Sequence, residues 1–304
     1  MQRVAGCSRF AATVVAAVLV AAAATADSRR GPVTSPTPTT VLPPSVADGF
    51  DWPLAIVASQ ASQLPAGSQF EAKSRRFTYE RGTGARTSAI EIAVEQRWDE
   101  IGLGCVVWEA AEILSQHLIG MDLDWREVRS LELGAGVGLA SLVAWHLGAA
   151  RSVATDRGKV LQCTRQNMLL NMRLNNATPG DRYRVAQLDW GSDDAAALQR
   201  AHGGEGGFDL IMGSDLVYDE SVFAPLVATL DALTAPTALN ATVTTTVTVL
   251  LAGKKRYEQR FKQFRRLLKS RFTSRRLRLP AGRSGYASSH YLYALERIPV
   301  PTEG

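Results

Sequence analysis

The polar and apolar positions of the chain follow two periods in turn, one typical of strands and one typical of helices. At the start of this pattern, Arg76–Arg81 and Ser88–Val94 alternate polar and apolar residues on either side of Gly82 and Gly84, which predicts a β-hairpin. The other predicted strands are Ser130–Leu133, Arg151–Thr155, Tyr183–Leu188, Phe208–Met212, Val243–Leu251, Thr273–Leu279 and His290–Leu295. The predicted helices are Val106–Leu118, Leu139–Ala149, Lys159–Asn171, Glu220–Leu233 and Tyr257–Lys269.

Strands that alternate with helices in this order predict a mostly parallel sheet with helices on both faces. The last two strands, Thr273–Leu279 and His290–Leu295, have no helix between them and are separated by a glycine-rich turn. We therefore expect these two strands to run antiparallel to each other. The predicted fold class is α/β, with a β-hairpin before the sheet and an antiparallel strand at its end.

The N-terminal residues differ in character from the rest of the chain. Arg3 and Arg9 precede an apolar stretch from Phe10 to Ala24, and no acidic residue occurs before Asp27. This order is typical of a signal peptide or an organellar transit peptide, and the apolar stretch is short for a membrane span. A segment rich in Pro, Thr and Ser follows and predicts a linker. The predicted segment, linker, folded domain and tail are residues 1–30, 31–70, 71–298 and 299–304.

Composition limits the classes to which the chain can belong. With 304 residues, of which 46% are hydrophobic and 21% charged, it has the composition of an ordinary globular protein. This excludes a coiled-coil rod, a collagen-like repeat and a wholly disordered chain. The cysteines Cys7, Cys105 and Cys163 are too few and too scattered for a disulfide framework or a zinc cluster. The four histidines are also far apart, so we expect no metal site.

The net charge of +5 is unevenly distributed along the chain. Residues 254–283 contain thirteen Lys and Arg and a single acid, Glu258, so this basic segment carries +12 and the remainder of the chain −7. A segment of this kind can attract an anionic surface or an acidic partner. A solvated helix face is the more common reason for such a run of charge.

The sequence Leu131–Gly138 (LELGAGVG) places three glycines where a predicted strand turns into a helix. Such glycines allow unusual backbone angles and the close approach of a ligand. In the dinucleotide fingerprint the third glycine would stand at Leu139, so the spacing found here argues against a nicotinamide dehydrogenase. Glu132 would repel a pyrophosphate but suits a ligand with a cationic amino-acid end. Asp156 lies 20 residues beyond Gly136, at the next strand end, where a carboxylate can accept hydrogen bonds from both ribose hydroxyls.

A second candidate site is the run Ser214–Tyr218 (SDLVY), which follows the fourth strand of the predicted sheet. Ligands of open parallel sheets bind at the carboxyl ends of the strands, so we expect Asp215 and Tyr218 to face the same cleft as the glycine turn. The alternatives are that Asp215 caps the next helix and that Tyr218 packs in the core. Trp108 and Trp190 can each cover a purine or a cation, or pack in the core.

These motifs together resemble the seven-strand class I methyltransferases, which bind S-adenosylmethionine. More narrowly, they resemble the methyltransferase-like protein-lysine N-methyltransferases. The resemblance covers about residues 76–298 and implies a Rossmann-like seven-strand methyltransferase fold. The segments that carry it are GCVVWEAAEILSQHL, LELGAGVGLASLVAWHLGA, the Asp156-Arg157 strand end, LDW at 188–190, FDLIMGSDLVY and LLAGKKRYEQR.

The resemblance also implies the roles of individual residues. Asp215 and Tyr218 match the family's acid-x-x-tyrosine motif and are the implied catalytic residues. Glu132 holds the acidic position of the glycine-rich motif. The implied contacts to S-adenosylmethionine are Trp108, Glu132, Gly134, Ala135, Gly136, Asp156, Trp190 and Ser214.

The implied reaction transfers a methyl group from S-adenosylmethionine to a lysine ε-amine of a protein. A lysine with an ordinary pKa of about 10.4 must lose its proton before it attacks, and a closed cleft favours the neutral amine. Asp215 can then accept a hydrogen bond from the amine and stabilise the positive charge that develops. A small-molecule or nucleic-acid methyltransferase and a non-catalytic cofactor-binding scaffold stay open as alternatives. The basic segment favours nucleic acid, whereas the absence of a Pro-Pro-aromatic run after the fourth strand argues against it.

The partners and the compartment follow from the same resemblance. We expect a protein substrate, of the chaperone or translation-factor class, and neither a metal nor a nucleic-acid partner. Because an exported enzyme would lack its methyl donor, we expect an intracellular location, either cytoplasmic or in an organelle such as a mitochondrion or plastid. Residues 1–30 would then serve as a targeting sequence or as a membrane tether.

Overall fold

The structure is a computed structural model, and it describes residues 72–83, 86–177, 182–204, 206–236, 247–280, 286 and 288–299. The predicted N-terminal segment at 1–30, the predicted linker at 31–70 and all of the predicted tail except Pro299 lie outside the described residues. No helix in the described ranges is long and apolar enough to cross a membrane.

The described part of the chain forms a two-stranded hairpin and a seven-stranded sheet with helices between the strands. The strands are β1 Ser74–Thr83, β2 Arg86–Glu95, β3 Arg129–Leu133, β4 Arg151–Asp156, β5 Tyr183–Gln187, β6 Leu210–Ser214, β7 Thr248–Lys254, β8 Phe272–Arg276 and β9 His290–Arg297. The α-helices are α1 Trp98–Ile101, α2 Glu109–Ile119, α3 Leu139–His146, α4 Val160–Leu174, α5 Asp194–Leu198, α6 Phe223–Thr234 and α7 Glu258–Lys269. Short helical turns lie at Leu103–Cys105, Trp125–Glu127, Gln199–Gly203 and Glu220–Val222.

The large sheet has the strand order β5-β4-β3-β6-β7-β9-β8. Strands β3 to β7 pair in parallel, whereas β9 runs antiparallel to both β7 and β8. The predicted α/β class, the antiparallel last strand and the preceding hairpin are therefore confirmed. Strand order reverses between β3 and β6, and ligands of open parallel sheets bind at such a switch point, beside the carboxyl ends of the strands.

Several elements begin or end away from their predicted bounds. The second helix begins at Glu109 rather than at Val106, because Trp108 has extended backbone angles of φ −87° and ψ 152°. The sixth helix begins at Phe223 after the turn Glu220–Val222. Strand β7 runs on to Lys254, three residues beyond the predicted end. Part of the predicted strand Val243–Leu251 lies outside the described residues.

Each face of the sheet is covered by its own apolar layer, because neighbouring residues of a strand point to opposite faces. The hairpin and α2, α3 and α4 cover one face, and α5, α6 and α7 cover the other. In β3, Leu131 and Leu133 belong to the second layer, so the intervening Glu132 points towards the first layer and is fully buried. Burying a carboxylate in an apolar layer costs free energy unless hydrogen bonds or charges compensate for it. The backbone N–H of Ser141 supplies one such hydrogen bond to Glu132.

The hairpin is attached to the sheet domain by polar contacts. The side-chain amide of Asn171 in α4 accepts the N–H of Ala93 at 3.1 Å and donates to its carbonyl at 2.7 Å. Asn167, one turn earlier, makes the same pair of bonds with Glu95 at 2.7 and 3.1 Å. These amides satisfy the free edge of β2, which would otherwise expose unpaired backbone groups.

A disulfide joins Cys105, in the short turn before α2, to Cys163 in α4. The two residues are 58 positions apart in sequence, and their Cα atoms lie 6.2 Å apart. The pattern of cysteines excludes a disulfide framework and does not predict this single bond, because the spacing of Cys105 and Cys163 along the chain does not show that the fold brings them together.

Candidate active site

The turn that follows β3 is built on glycines in the left-handed region. Gly134, Gly136 and Gly138 have φ values of 58°, 56° and 83°, which residues with a Cβ rarely adopt. A Cβ on Gly134 would lie 2.7 Å from Leu216 and 3.1 Å from the ring of Trp190. The turn therefore packs closely against the segment after β6 and against Trp190, and the absence of side chains is what allows this contact.

Asp156, the last residue of β4, fixes the same turn from the neighbouring strand. One carboxylate oxygen accepts the N–H of Gly136 at 2.9 Å, and the other accepts the N–H of Arg157 at 2.8 Å. Burial raises the pKa of Asp156, and these two hydrogen bonds oppose the rise. Each oxygen keeps a second lone pair, so the carboxylate can still accept hydrogen bonds from a ligand hydroxyl.

Glu132 lies beneath the turn and is fully buried. One carboxylate oxygen accepts the backbone N–H of Ser141, in the first turn of α3, at 2.8 Å. Its other oxygen, Oε1, has no hydrogen-bond partner among the described residues. Burial is the largest cause that raises the pKa of Glu132 to about 7, and the hydrogen bonds from Ser141 oppose it. A buried acceptor without a partner fits a donor group, such as a water or an ammonium.

Two other predicted contact residues line the same strand ends. Ala135 is buried, and its N–H donates to the carbonyl of Thr155 at 2.9 Å. Ser214 is the half-buried last residue of β6, where it pairs with Ala252 of β7. The turn after β3 and the end of β6 therefore meet at the switch point of the sheet.

Asp215 follows β6 directly and has an unusual backbone conformation. Its φ of 58° is positive, and among the described residues Asn176, with a φ of 51°, is the one other non-glycine residue with a positive φ. Its N–H donates to the carbonyl of Ala252 at 2.9 Å, which anchors the backbone to β7. The cost of such a conformation is about 1–3 kcal/mol, and residues that bear it are concentrated at functional sites.

The carboxylate of Asp215 is paired with Arg256, two residues beyond β7. Nη1 of Arg256 donates to Oδ1 at 2.6 Å and its Nη2 donates to Oδ2 at 2.5 Å, and the backbone N–H of Lys254 approaches Oδ1 at 3.4 Å. The Asp215 side chain is 6% exposed, whereas that of Arg256 is 29% exposed. The alternative that Asp215 caps the following helix is wrong, because its carboxylate bonds to Arg256, and Asp219 is the residue that caps the turn Glu220–Val222 before α6, by accepting the N–H of Ser221 at 2.9 Å.

The two tryptophans are half-buried, so neither is enclosed in the core. Trp108 immediately precedes α2, and its indole N–H donates to the carbonyl of Leu103 at 3.1 Å. The guanidinium of Arg256 lies over the Trp108 ring, 5.1 Å from the ring centre. Trp108 thus adjoins the Asp215–Arg256 pair, whereas Trp190 adjoins Gly134.

Tyr218 is 49% exposed, so the alternative that it packs in the core is wrong. Partial burial raises the pKa of Tyr218; the nearby charge of Arg157 lowers it and that of Asp156 raises it again. Tyr218 is therefore exposed to solvent and close enough to Asp156 and Arg157 to sense their charges. The predicted site residues converge on the carboxyl ends of β3, β4 and β6.

Arg256 is the residue that the sequence interpretation missed. It belongs to the basic segment, for which the sequence predicts a solvated helix face or a surface that attracts anions. In the structure, Arg256 pairs with Asp215 instead. The one available signal was its position just after the fifth strand of the parallel sheet, at the edge where ligands bind. In the described ranges, no group of three His, Cys, Asp or Glu side chains could hold a metal ion.

Comparison with known proteins gives a consistent picture. A family model described as lysine methyltransferase matches residues 86–271. Protein N-lysine methyltransferase METTL21A of Danio rerio is 32% identical over 220 residues, which cover 72% of this chain and 88% of that protein. EEF1A lysine methyltransferase 3 of Mus musculus is 32% identical over 184 residues, which cover 60% of this chain and 70% of that protein.

Among solved structures, the methyltransferase SMU.776 complexed with SAH has a similar fold. Its TM-score is 0.50 at 14% identity, and the match covers 74% of this chain and 56% of that one. The family match confirms the predicted methyltransferase activity and, with it, S-adenosylmethionine as the methyl donor. This chain belongs to the lysine methyltransferase family.

Proposed function

We propose that the chain methylates a lysine ε-amine of a protein substrate, in an acceptor site formed around Asp215 and Tyr218. The observation that carries this proposal is the placement of Asp215 directly after β6, next to the glycine turn. Its backbone has left-handed angles, and its carboxylate is buried. The proposed donor site consists of Trp108, Glu132, Gly134, Ala135, Gly136, Asp156, Trp190 and Ser214.

The residues of the donor site suit S-adenosylmethionine, which supplies a methyl group already activated on a sulfonium. Asp156 keeps lone pairs for the two ribose hydroxyls, although each of its oxygens already accepts a backbone N–H. The partnerless Oε1 of Glu132 offers a buried acceptor to the cationic amino-acid end, directly or through a water. The half-buried rings of Trp108 and Trp190 can cover the purine.

The acceptor side has to align a neutral amine with the activated methyl group and to exclude water. Asp215 accepts a hydrogen bond from the lysine amine, which orients the nitrogen lone pair and stabilises the positive charge that develops on that nitrogen. Tyr218, at the exposed rim, packs against the lysine side chain or donates a hydrogen bond to it. Removal of water from the bound lysine side chain lowers the pKa of its amine and so favours the neutral form over the ammonium.

For the acceptor, we propose a protein of the chaperone or translation-factor class. Two of the relatives are named for a translation factor, as lysine methyltransferases of EEF1A. The basic segment favours an acceptor with an acidic surface near the target lysine. We expect the methyl acceptor to be a protein and not a nucleic acid.

The test is to incubate the full chain with tritiated S-adenosylmethionine and a cell lysate, and then to treat the product with nuclease or with protease before electrophoresis. The label should survive nuclease, disappear with protease and be recovered as methyl-lysine after acid hydrolysis. Nuclease-sensitive label would indicate a nucleic-acid methyltransferase. Binding of S-adenosylhomocysteine without transfer of label to any macromolecule would leave a small-molecule methyltransferase or a scaffold.

We also propose that the chain acts inside the cell, in the cytoplasm or in an organelle, with residues 1–30 as its targeting sequence or membrane tether. The argument is chemical, because the methyl donor is an intracellular metabolite. Microscopy of a fusion tagged at the C-terminus, together with sequencing of the mature N-terminus, tests this proposal. Recovery of processed protein from the medium would contradict it.

A further inference from the structure

Five charged or titratable side chains from four parts of the chain meet beside Trp108. We call them the acceptor-site cluster: Glu109, Asp215, Lys254, Arg256 and His290. Glu109 is the first residue of α2. Its carboxylate accepts a hydrogen bond from the ammonium of Lys254 at 3.1 Å and contacts Nε2 of His290 at 3.0 Å. Arg256 pairs with both oxygens of Asp215.

At neutral pH the charges of this cluster cancel. Burial tends to raise the pKa of Glu109, but the hydrogen bonds from Lys254 and His290 and the charge of Lys254 outweigh it and hold the pKa below its ordinary value. Burial lowers the pKa of His290, so its ring is neutral. Tyr291 of β9 also faces Asp215 and Arg256, and burial raises its pKa, so it is neutral as well. Two carboxylates therefore face two cations.

We propose that Arg256 is a positioning residue that balances the charge of Asp215, so that an acceptor lysine enters a site without net charge and readily loses its proton. The inference rests on the proposed function. An unbalanced carboxylate within about 4–6 Å of a lysine stabilises the ammonium form and raises its pKa by about 1–3 units. The ammonium has no lone pair with which to attack. The guanidinium of Arg256 cancels this effect and leaves Asp215 in place as a hydrogen-bond acceptor.

The geometry of the pair allows both roles at once. A guanidinium that forms two parallel hydrogen bonds occupies one lone pair on each carboxylate oxygen. The other lone pair of Oδ2 stays free for an N–H of the amine, while the backbone N–H of Lys254 lies at 3.4 Å from Oδ1. The guanidinium of Arg256 also lies over the ring of Trp108, 5.1 Å from the ring centre, and this contact helps to hold it in place.

The reaction then balances in a simple way. The lysine ammonium releases one proton to water. The nitrogen lone pair forms the new N–C bond while the electron pair of the broken C–S bond returns to sulfur. The positive charge passes from the sulfur to the methylated nitrogen, which keeps its hydrogen bond to Asp215. The product leaves as the methylammonium ion, so the reaction as a whole releases the one proton that the lysine lost at the start.

The test measures the initial rate of label transfer from saturating tritiated S-adenosylmethionine to lysate protein, from about pH 6.5 to about pH 9.5. The wild-type chain is compared with Arg256→Gln, which removes the charge, and with Arg256→Lys, which keeps it. In Arg256→Gln the acid limb of the pH–rate profile, where the rate rises with pH, should move to higher pH by about one unit. The rate should then fall about tenfold near neutral pH and recover at alkaline pH. Arg256→Lys should keep the limb of the wild type.

Lys255→Gln is the matched control, since it removes one positive charge from the adjacent position without touching Asp215 and should leave the limb in place. Calorimetric binding of S-adenosylhomocysteine shows that each variant is folded. A limb that does not move in Arg256→Gln, or moves equally in Arg256→Lys, would overturn the inference while the proposed function stands. A wild-type chain that labels no protein would overturn the proposed function itself.

A second measurement needs no acceptor. Urea unfolding of Arg256→Gln, Asp215→Asn and the double variant gives the coupling between the two residues. If the two charges balance each other, Asp215→Asn should restore part of the stability that Arg256→Gln removes. Additive effects of the two substitutions would show that the pair is not coupled and would overturn the inference.

Discussion

The carboxylate of Asp156 at the end of β4 accepts the backbone N–H of Gly136, in the turn after β3, at a distance of 2.9 Å. Two neighbouring parallel strands are thereby joined at the point where their carboxyl ends meet. The same carboxylate fixes the turn and belongs to the proposed donor site, so we expect turn geometry and donor binding to depend on one side chain.

We expect Asp156→Ala to weaken the binding of S-adenosylhomocysteine about tenfold or more, as measured by calorimetry. A hydrogen bond to a charged group contributes about 1.5–3 kcal/mol, and about 1.4 kcal/mol corresponds to a factor of ten in affinity. The turn would also lose the acceptor for the Gly136 N–H. Asp193→Ala, which removes an exposed carboxylate, is the control and should bind normally. An unchanged affinity of Asp156→Ala would remove Asp156 from the proposed donor site.

Asp215→Asn should reduce methyl transfer about a hundredfold or more, because the amide cannot stabilise the charge that develops on the acceptor nitrogen. The substitution keeps the size of the side chain, so the affinity for S-adenosylhomocysteine should stay within about threefold of the wild type. Both quantities are measured on one preparation, by label transfer and by calorimetry. Asp219→Asn, at the exposed cap of the next turn, should change neither. A loss of affinity in Asp215→Asn would assign Asp215 to the donor site instead.

The sheet and the donor side of the cleft could be predicted because their signals are local. Leu131 and Leu133 alternate with Glu132 within one strand, and the glycines and the acid at the next strand end lie within one strand-helix-strand unit. The strand order places them together without further information, because adjacent parallel strands end at the same edge.

The acceptor side could not be predicted to the same depth because its contacts are long-range. Arg256 lies 41 residues from Asp215, and Glu109 lies 181 residues from His290. In the sequence, Arg256 is one of thirteen basic residues of a segment, and nothing in its spacing separates an ion-paired arginine from a solvated one. The partner of a charge depends on which strands become neighbours, which the pattern of a single strand does not contain.

The stability of the chain should depend on the ionisation of Glu132. The pKa of Glu132 is raised to about 7 in the folded state, above its ordinary value of 4.5, because burial disfavours the carboxylate. The folded state therefore binds this proton more tightly than the unfolded state. The resulting stabilisation is fully present below about pH 4.5 and is lost as the pH rises through about 7, with an upper limit of about 3 kcal/mol.

We therefore expect Glu132→Gln to flatten this dependence, so that its free energy of unfolding falls less than that of the wild type between about pH 5 and about pH 8. Urea unfolding at the two pH values measures the difference. Some dependence should persist, since burial also raises the pKa of Asp156. Glu127→Gln, the same change at an exposed glutamate, should behave as the wild type. Equal slopes in the wild type and Glu132→Gln would contradict the assignment.

The buried ion pair between Arg75 of β1 and Glu112 of α2 should hold the hairpin on the domain. The two side chains are 2% and 4% exposed and lie 2.7 Å apart. Arg75→Met should lower the free energy of unfolding by about 3–5 kcal/mol, because it leaves a buried carboxylate without its cation. Adding Glu112→Leu should recover much of the loss. Arg76→Met, at the exposed neighbouring position, should change stability by less than about 0.5 kcal/mol. A double variant no more stable than Arg75→Met would show that the loss comes from packing.

Removing the disulfide should affect both stability and donor binding. The bond between Cys105 and Cys163 closes a loop over a sequence separation of 58, and a cross-link of this kind stabilises a fold by about 2–4 kcal/mol. The turn it anchors also approaches the glycine turn, since a Cβ on Gly136 would lie 2.8 Å from the carbonyl oxygen of Gly104. Replacing both cysteines by Ala should therefore lower the free energy of unfolding and weaken binding of S-adenosylhomocysteine.

The same measurements on the wild-type chain with and without a thiol reductant separate the bond from the substitutions. Reduction should reproduce the effects of the double variant, because both free the turn before α2 from α4, whereas Cys7→Ala should bind and unfold as the wild type. A count of free thiols under denaturing, non-reducing conditions identifies the bonded cysteines. If all three cysteines react with a thiol reagent in the unreduced chain, the disulfide is absent in solution, and the turn at Leu103–Cys105 must be held by packing and by its hydrogen bonds from Trp108 and from the backbone N–H of Arg97.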